Sequence, residues 1–191
     1  MMKRAVTLLA MTFAVVLSVQ AAENSTTKVP DNLQVPAGNK QLLVTRAEGA
    51  QDYVCLPKAD SFAWTLYGPQ ATLFAGKGNA EPVGTHFLSA DAAGAGHPTW
   101  QANDLSRALG TLVASSSDNA YVATGSIPWL LLKAAATAGK GGGARFAHVT
   151  FVQRIDTSGG SAPANGCQSV ADIGAKALVP YSATYVFYEA K

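Results

Sequence analysis

The sequence predicts a mainly β domain, an antiparallel sandwich or barrel-like sheet with one short buried helix. Three observations point there. Stretches of four to eight residues with period-two apolar alternation recur along most of the chain. Glycine, proline, asparagine and aspartate clusters separate them at the spacing of an all-β fold. One run, residues 126–138, breaks the alternation and carries the punctuation of a helix.

Residues 1–22 read as a leader and not as part of the fold. Lys3 and Arg4 form a positive start, residues 5–19 are apolar, and Val19-Gln20-Ala21-Ala22 offers small residues for cleavage. The apolar run falls short of the ~20 residues of a spanning helix. The later apolar run 127–132 is cut by Lys133. A secreted or periplasmic protein is therefore expected, with no membrane attachment after signal cleavage. Residues 23–38 are polar and proline-punctuated, and read as a disordered lead-in. Residues 39–191 then form a single β-rich domain.

Within that domain, residues 41–46 and 50–56 read as a hairpin turned at Ala47-Glu48-Gly49. Phe62, Trp64 and Leu66 alternate up to a Gly68-Pro69 turn, and residues 71–75 form a further short strand. Residues 83–88 make a strand carrying His86, followed by a small-residue loop over 91–96. Residues 99–102 and 107–114 pair about Asn103-Asp104. Ser126 stands as a helix cap, Pro128 lies in the first turn, and Gly139 ends the helix. Near-continuous apolarity makes this helix a buried plug. Residues 147–156 return to alternation and stop in Thr157-Ser158-Gly159-Gly160-Ser161 before Pro163. The last strand, 181–188, has aromatics on both faces and is expected to be central.

Charge narrows the function classes. The full chain has 14 Lys+Arg against 12 Asp+Glu, and removing Lys3 and Arg4 leaves 12 of each. No basic block remains for nucleic acid. Charged residues make up 14% of the chain, against a typical ~25%. Cys55 and Cys167 are the two cysteines. In an oxidising compartment one intramolecular disulfide is expected, the alternatives being two buried thiols or two intermolecular bonds.

Several motifs fail on context. Gly139-Lys140-Gly141-Gly142-Gly143-Ala144 matches a dinucleotide fingerprint, but with a helix before it and a strand after it, which inverts the required order. His86, His97 and His148 lack the short spacing of a metal motif, so no metal and no cofactor are expected. No G-x-S-x-G elbow supports a hydrolytic triad. Trp64, Trp100 and Trp129 read as core. The candidate polar cluster is Gln153, Arg154, Asp156 and Thr157 at the strand-to-loop junction, with His86. Arg154 and Asp156 share a strand face. In the structural reading Arg154 pairs with a nearby carboxylate or caps loop carbonyls, while Gly159 and Gly160 supply positive φ.

A set of segments together resembles the family called domain of unknown function 3455. They are Val35-Pro36-Ala37-Gly38-Asn39, Tyr53-x-Cys55, Trp64, the run 127–132, Val149-Thr150-Phe151-Val152-Gln153-Arg154, Thr157-x-Gly159-Gly160-x-Ala162-Pro163, Gly166-Cys167, and Pro180-Tyr181-x-Ala183-x-Tyr185-x-Phe187-Tyr188. Many relatives carry Gly-Pro-Thr-Trp followed by Asp-Gly-Ser. This chain has His97-Pro98-Thr99-Trp100 and Asp104-Leu105-Ser106, so the turn glycine is lost. The resemblance implies export and a single domain, and brings no established activity. Some members bear a malate dehydrogenase label, which nothing resembling a Rossmann unit supports here. The expected function is a binding or structural module with an unknown ligand or partner. The alternative is a secreted enzyme acting on a small-molecule or carbohydrate substrate. A concave pocket in which Arg154, Asp156 or His86 converge would separate the two.

Overall fold

A computed structural model describes residues 27–76, 78, 80–139 and 144–191. Eight antiparallel strands close into a barrel in chain order: β1 (Asn39–Lys58), β2 (Ser61–Ala75), β3 (Glu81–Ala90), β4 (Gly96–Ala102), β5 (Arg107–Ser116), β6 (Trp129–Ala138), β7 (Val149–Gly159) and β8 (Lys176–Ala190). The first strand pairs with the last, from Asn39 opposite Ala190 to Val54 opposite Lys176. Each strand hydrogen-bonds two neighbours, so closure removes the exposed edges of an open sheet.

The expected helix at 126–138 is instead strand β6. Its side chains alternate: Leu132, with Leu130 and Ala134, faces one hydrophobic cluster, while Trp129 and Leu131 face another. Over 129–132 both faces are apolar because both are covered, and the exposed end, 135–138, is mostly alanine, so the period-two signal is erased. Ladders to β5 and β7 satisfy the backbone and override the helix-forming bias of Leu and Ala. The two turns expected inside β1 and β2 are also absent. Gly49 lies mid-strand, where a Cβ would come within 2.0 Å of the Gln70 carbonyl oxygen. It allows close strand approach and makes no turn. Gly68-Pro69 continues β2 beside a register shift.

Two cores result. The first draws residues from all eight strands and therefore fills the lumen. Leu73, Trp100, Leu132, Val152, Tyr185 and Phe187 are among its buried members. The second lies outside the barrel against β6, β7 and β8, around Trp129, Leu131, Ile155 and Val186. It is covered by Val122 and by the N-terminal strap, Val29, Leu33 and Val35. The part of the lead-in from 27 to 38 is thus packed chain, contrary to the disorder expected of it. Leu33 sits in a 3-10 turn, Asp31–Leu33, and is completely buried. Its burial is the kind that stabilises by about 1.5–3 kcal/mol.

Candidate functional site

Strand β7 carries four of the five residues singled out by sequence: Arg154 and Thr157 on the lumen side, Gln153 under the strap and Asp156 exposed. Arg154 lies opposite Tyr185 and faces the lumen. Its Nε and Nη2 both donate to the Pro128 carbonyl, at 3.1 and 2.9 Å. Its positive charge also acts on the buried Tyr185 hydroxyl, which meets the Tyr181 hydroxyl at 3.5 Å. Of the two structural roles expected for Arg154, carbonyl capping is the one it takes. Among the described residues it has no carboxylate within ion-pair distance.

A register shift between Ile155 and Ser158 then reorients the strand. Asp156 takes a left-handed φ of 50° and turns outward, where Thr27 Oγ1 donates to its Oδ2 at 3.1 Å. Arg154 and Asp156 therefore do not share a partner, contrary to the same-face expectation. The bulge adds a residue, and an added residue breaks the period-two rule. Thr157 Oγ1 donates to the Ile127 carbonyl at 2.7 Å. Ser126 bridges Gly160, and the Ile127 amide donates to the Gly159 carbonyl at 2.9 Å. Gly159 and Gly160 have the expected positive φ, 69° and 83°. A side chain on Gly160 would meet Tyr181, Ile127 and Gln51 at 2.9–3.2 Å. Arg154 and Thr157 thus fasten residues 126–128 to the lumen core, of which Ile127 is a member.

His86 lies deeper, 2% exposed. Its Nδ1–H donates to the Thr99 carbonyl at 2.9 Å, and its ring stacks on Trp100 at 4.7 Å, with Tyr185 edge-on at 5.0 Å. Burial pushes its pKa down to about 3, the Thr99 bond opposing and the Arg154 charge reinforcing that shift. A neutral, fully enclosed imidazole is a packing element here and is not poised for acid–base work near neutrality.

Three tyrosines that the sequence reading left unassigned complete this cluster. Burial raises the Tyr53, Tyr181 and Tyr185 hydroxyls above the ordinary phenol value, with Arg154 acting against the rise. Tyr53 donates to the Gly160 carbonyl at 2.7 Å. For Tyr181 and Tyr185 the signal was the alternation of Tyr181, Ala183, Tyr185 and Phe187, which marks one buried face.

Gln153 points the other way. Its Nε2 donates to the Leu33 carbonyl at 2.6 Å, and its Oε1 accepts from the Tyr188 hydroxyl at 2.7 Å. It lines a cavity of about 390 Å³ under the strap, together with Lys28, Asn39 and Lys191. The histidines are dispersed: His97 bonds Asp91 and the Gly110 carbonyl at the β3–β4 hairpin, and His148 is exposed.

Cys55 and Cys167 form an intramolecular disulfide with Cα atoms 5.4 Å apart, spanning 112 residues. It ties the 160–175 segment to β1, where Gly174 and Ala175 also exchange backbone bonds with Cys55. Trp64 is half-buried, and its Nε1 donates to the Asn165 carbonyl at 2.9 Å, so it anchors this segment. In the chain-entropy account, closing a loop of this length contributes up to ~4.7 kcal/mol.

These motif residues share one barrel, and a family model described as Protein of unknown function (DUF3455) matches residues 36–189. The chain belongs to that family. The DUF3455 match begins at Pro36, so the strap residues Val29 and Leu33 precede it. No curated protein and no solved structure matches the chain. As to the malate dehydrogenase label borne by some DUF3455 members, every strand pairing here is antiparallel, with no βαβ unit among the described residues. The glycine run 139–144 joins β6 to β7, and its residues 140–143 lie outside the described ones.

The loss of the relatives' turn glycine has a physical counterpart. Leu105 occupies a left-handed φ of 67° and is exposed. The flanking residues carry the turn: Asp104 accepts from the Ser106 amide and hydroxyl and from the Arg145 amide. Glycine would meet that φ without steric cost.

Proposed function

We propose that this DUF3455 protein is an exported binding module that recognises its ligand on the outer wall of the barrel. One observation carries this reading: the lumen is filled. Trp100, Tyr185 and Phe187 meet there with His86 in edge and stacked contacts. Small-ligand barrels of this size work by leaving the interior open. Here the polar side chains suited to catalysis are held by structural partners, Arg154 by Pro128, Thr157 by Ile127 and His86 by Thr99. Recognition then falls to concavities between strands on the outside. Export accords with the disulfide, which persists in oxidising compartments.

The test uses the mature chain, oxidised, in a thermal-shift screen against saccharides, small carboxylates and amines. Hits are followed by amide chemical-shift mapping. Saturable binding that moves outer-wall amides, without turnover, is expected. Saturable shifts confined to lumen residues, or conversion of a screened compound, would overturn the reading. Fractionation of cells expressing the full chain tests export: the protein should appear outside the cytoplasm, shortened at its N-terminus.

A further inference from the structure

One outer-wall concavity combines features that the barrel itself does not need. The β1–β2 ladder pairs Asp52 with Gly68 and Tyr53 with Leu66, which leaves Tyr67 as the extra residue of a β-bulge. Bulges re-aim side chains and gather next to functional sites. Tyr67 is 73% exposed and lines a groove of about 370 Å³ with Asp52, Tyr53, Gln70, Lys176 and Leu178. Leu178, the cross-strand partner of Asp52, is 69% exposed. An aromatic ring and a leucine held in water on a rigid sheet form an apolar platform with no core to serve.

Asp52 makes the floor polar. The residue is 8% exposed, and its Oδ2 accepts from Gln70 Nε2 at 2.5 Å. Its Oδ1 is buried and has no hydrogen-bond partner among the described residues. Such an orphaned acceptor is costly and calls for an explanation. Lys176 lines the same groove, yet makes no ion pair with Asp52. The groove therefore presents an unpaired acceptor, Asp52 Oδ1, and a lysine without an ion pair, Lys176, together with the Tyr67 ring.

We propose that this groove is a saccharide subsite, taking a neutral sugar whose hydroxyls donate to Asp52 and accept from Lys176 while its C–H face lies on Tyr67. The assignment rests on the binding-module reading and gives it a ligand class. A cationic amine would match Asp52 and the tyrosine faces, but it would sit against the Lys176 ammonium. An anion would match Lys176 and meet the Asp52 carboxylate. A neutral polyol satisfies both groups at once, because each hydroxyl donates and accepts. The volume is within the range of small-molecule sites. Oδ1 lies below the groove surface, so a sugar hydroxyl reaches it through a local shift of the floor, with Tyr67 kept as the platform.

The experiment follows amide shifts of the mature, oxidised protein on titration with maltotriose, cellobiose and chitobiose, and separately with choline and citrate. At least one saccharide should bind, moving the amides of Asp52, Tyr67 and Leu178. Tyr67→Ala should weaken it roughly tenfold or more, as loss of an aromatic contact does. Being exposed, Tyr67 can be replaced with little effect on melting, and Lys176→Ala gives a second exposed probe that should also weaken binding. Asp52→Asn keeps the shape and should weaken binding as well. Saccharide binding that Tyr67→Ala leaves unchanged would overturn the subsite. So would choline or citrate binding there in place of the sugars. If the sugars fail while another class of compound moves different outer-wall amides, the subsite is wrong and the binding module stands. If no screened compound binds anywhere, both fall.

Discussion

Replacing Arg154 by alanine removes a cation that no carboxylate holds, so the sign of the effect depends on what the guanidinium leaves behind. Two of its N–H groups converge on the Pro128 carbonyl, at 3.1 and 2.9 Å. The truncation strands that carbonyl, and an unsatisfied buried polar group costs about 1–3 kcal/mol. Against this stands relief from holding a partly buried charge. We expect a net loss of about 1–3 kcal/mol, which for a domain of this size lowers the melting temperature by roughly 3–12 °C. Arg154→Lys should recover only part, because a single ammonium cannot reproduce the planar fork. Urea unfolding followed by circular dichroism and tryptophan fluorescence gives both free energies. A melting temperature within a degree or two of wild type would refute the reasoning. Arg154 would then be free for a ligand.

Three further outcomes are expected. Trp129→Ala should cost roughly 3–5 kcal/mol in urea unfolding, since the ring is 4% exposed beneath Tyr121 and the strap. Leu105→Gly should raise stability by about 1 kcal/mol, less a small rise in unfolded-chain entropy, because the residue holds a left-handed φ of 67°. His86 has a folded pKa lowered from 6.5 to about 3, so protons favour the unfolded chain in that interval. Stability should therefore fall as pH drops from 6.5 toward 3, with the His86 ring resonances unmoved in folded protein down to pH 4. A His86 titration near pH 6 by NMR would contradict its burial.

The β class and most strand positions were legible because half-buried strands alternate, and residues 83–88, 99–102, 107–114 and 147–156 do so. What misled was burial on both faces. Trp129 and Leu131 pack outward while Leu130 and Leu132 pack inward, so β6 has no polar face to reveal its period. Glycine misled differently. Gly49 reads as a turn in sequence, yet it serves a close approach to Gln70 that depends on a partner strand 21 residues away. The strap failed for the same reason: Val29, Leu33 and Val35 are scattered among polar residues, and only the outer face of β6–β8 gives them a surface to bury against. The polar cluster was identified residue by residue but not as an assembly. Gln153 and Arg154 are adjacent in sequence and lie on opposite faces of the sheet, and the bulge after Ile155 sends Asp156 to solvent. Asp52 drew no attention in the sequence, because an orphaned oxygen is a property of packing.

The seam between β1 and β8 also sets the order in which this protein can be made. Pairings from β1–β2 through β7–β8 join chain neighbours and form locally as the chain emerges, but the ring is sealed only by its first and last strands. Cys55 likewise waits for a partner 112 residues downstream. Until β8 arrives, β1 presents an unpaired edge, and that edge can recruit a strand from another chain. Closure by the most distant contact makes folding slow and concerted. A chain stalled or cut before residue 176 is left as an open, adhesive sheet.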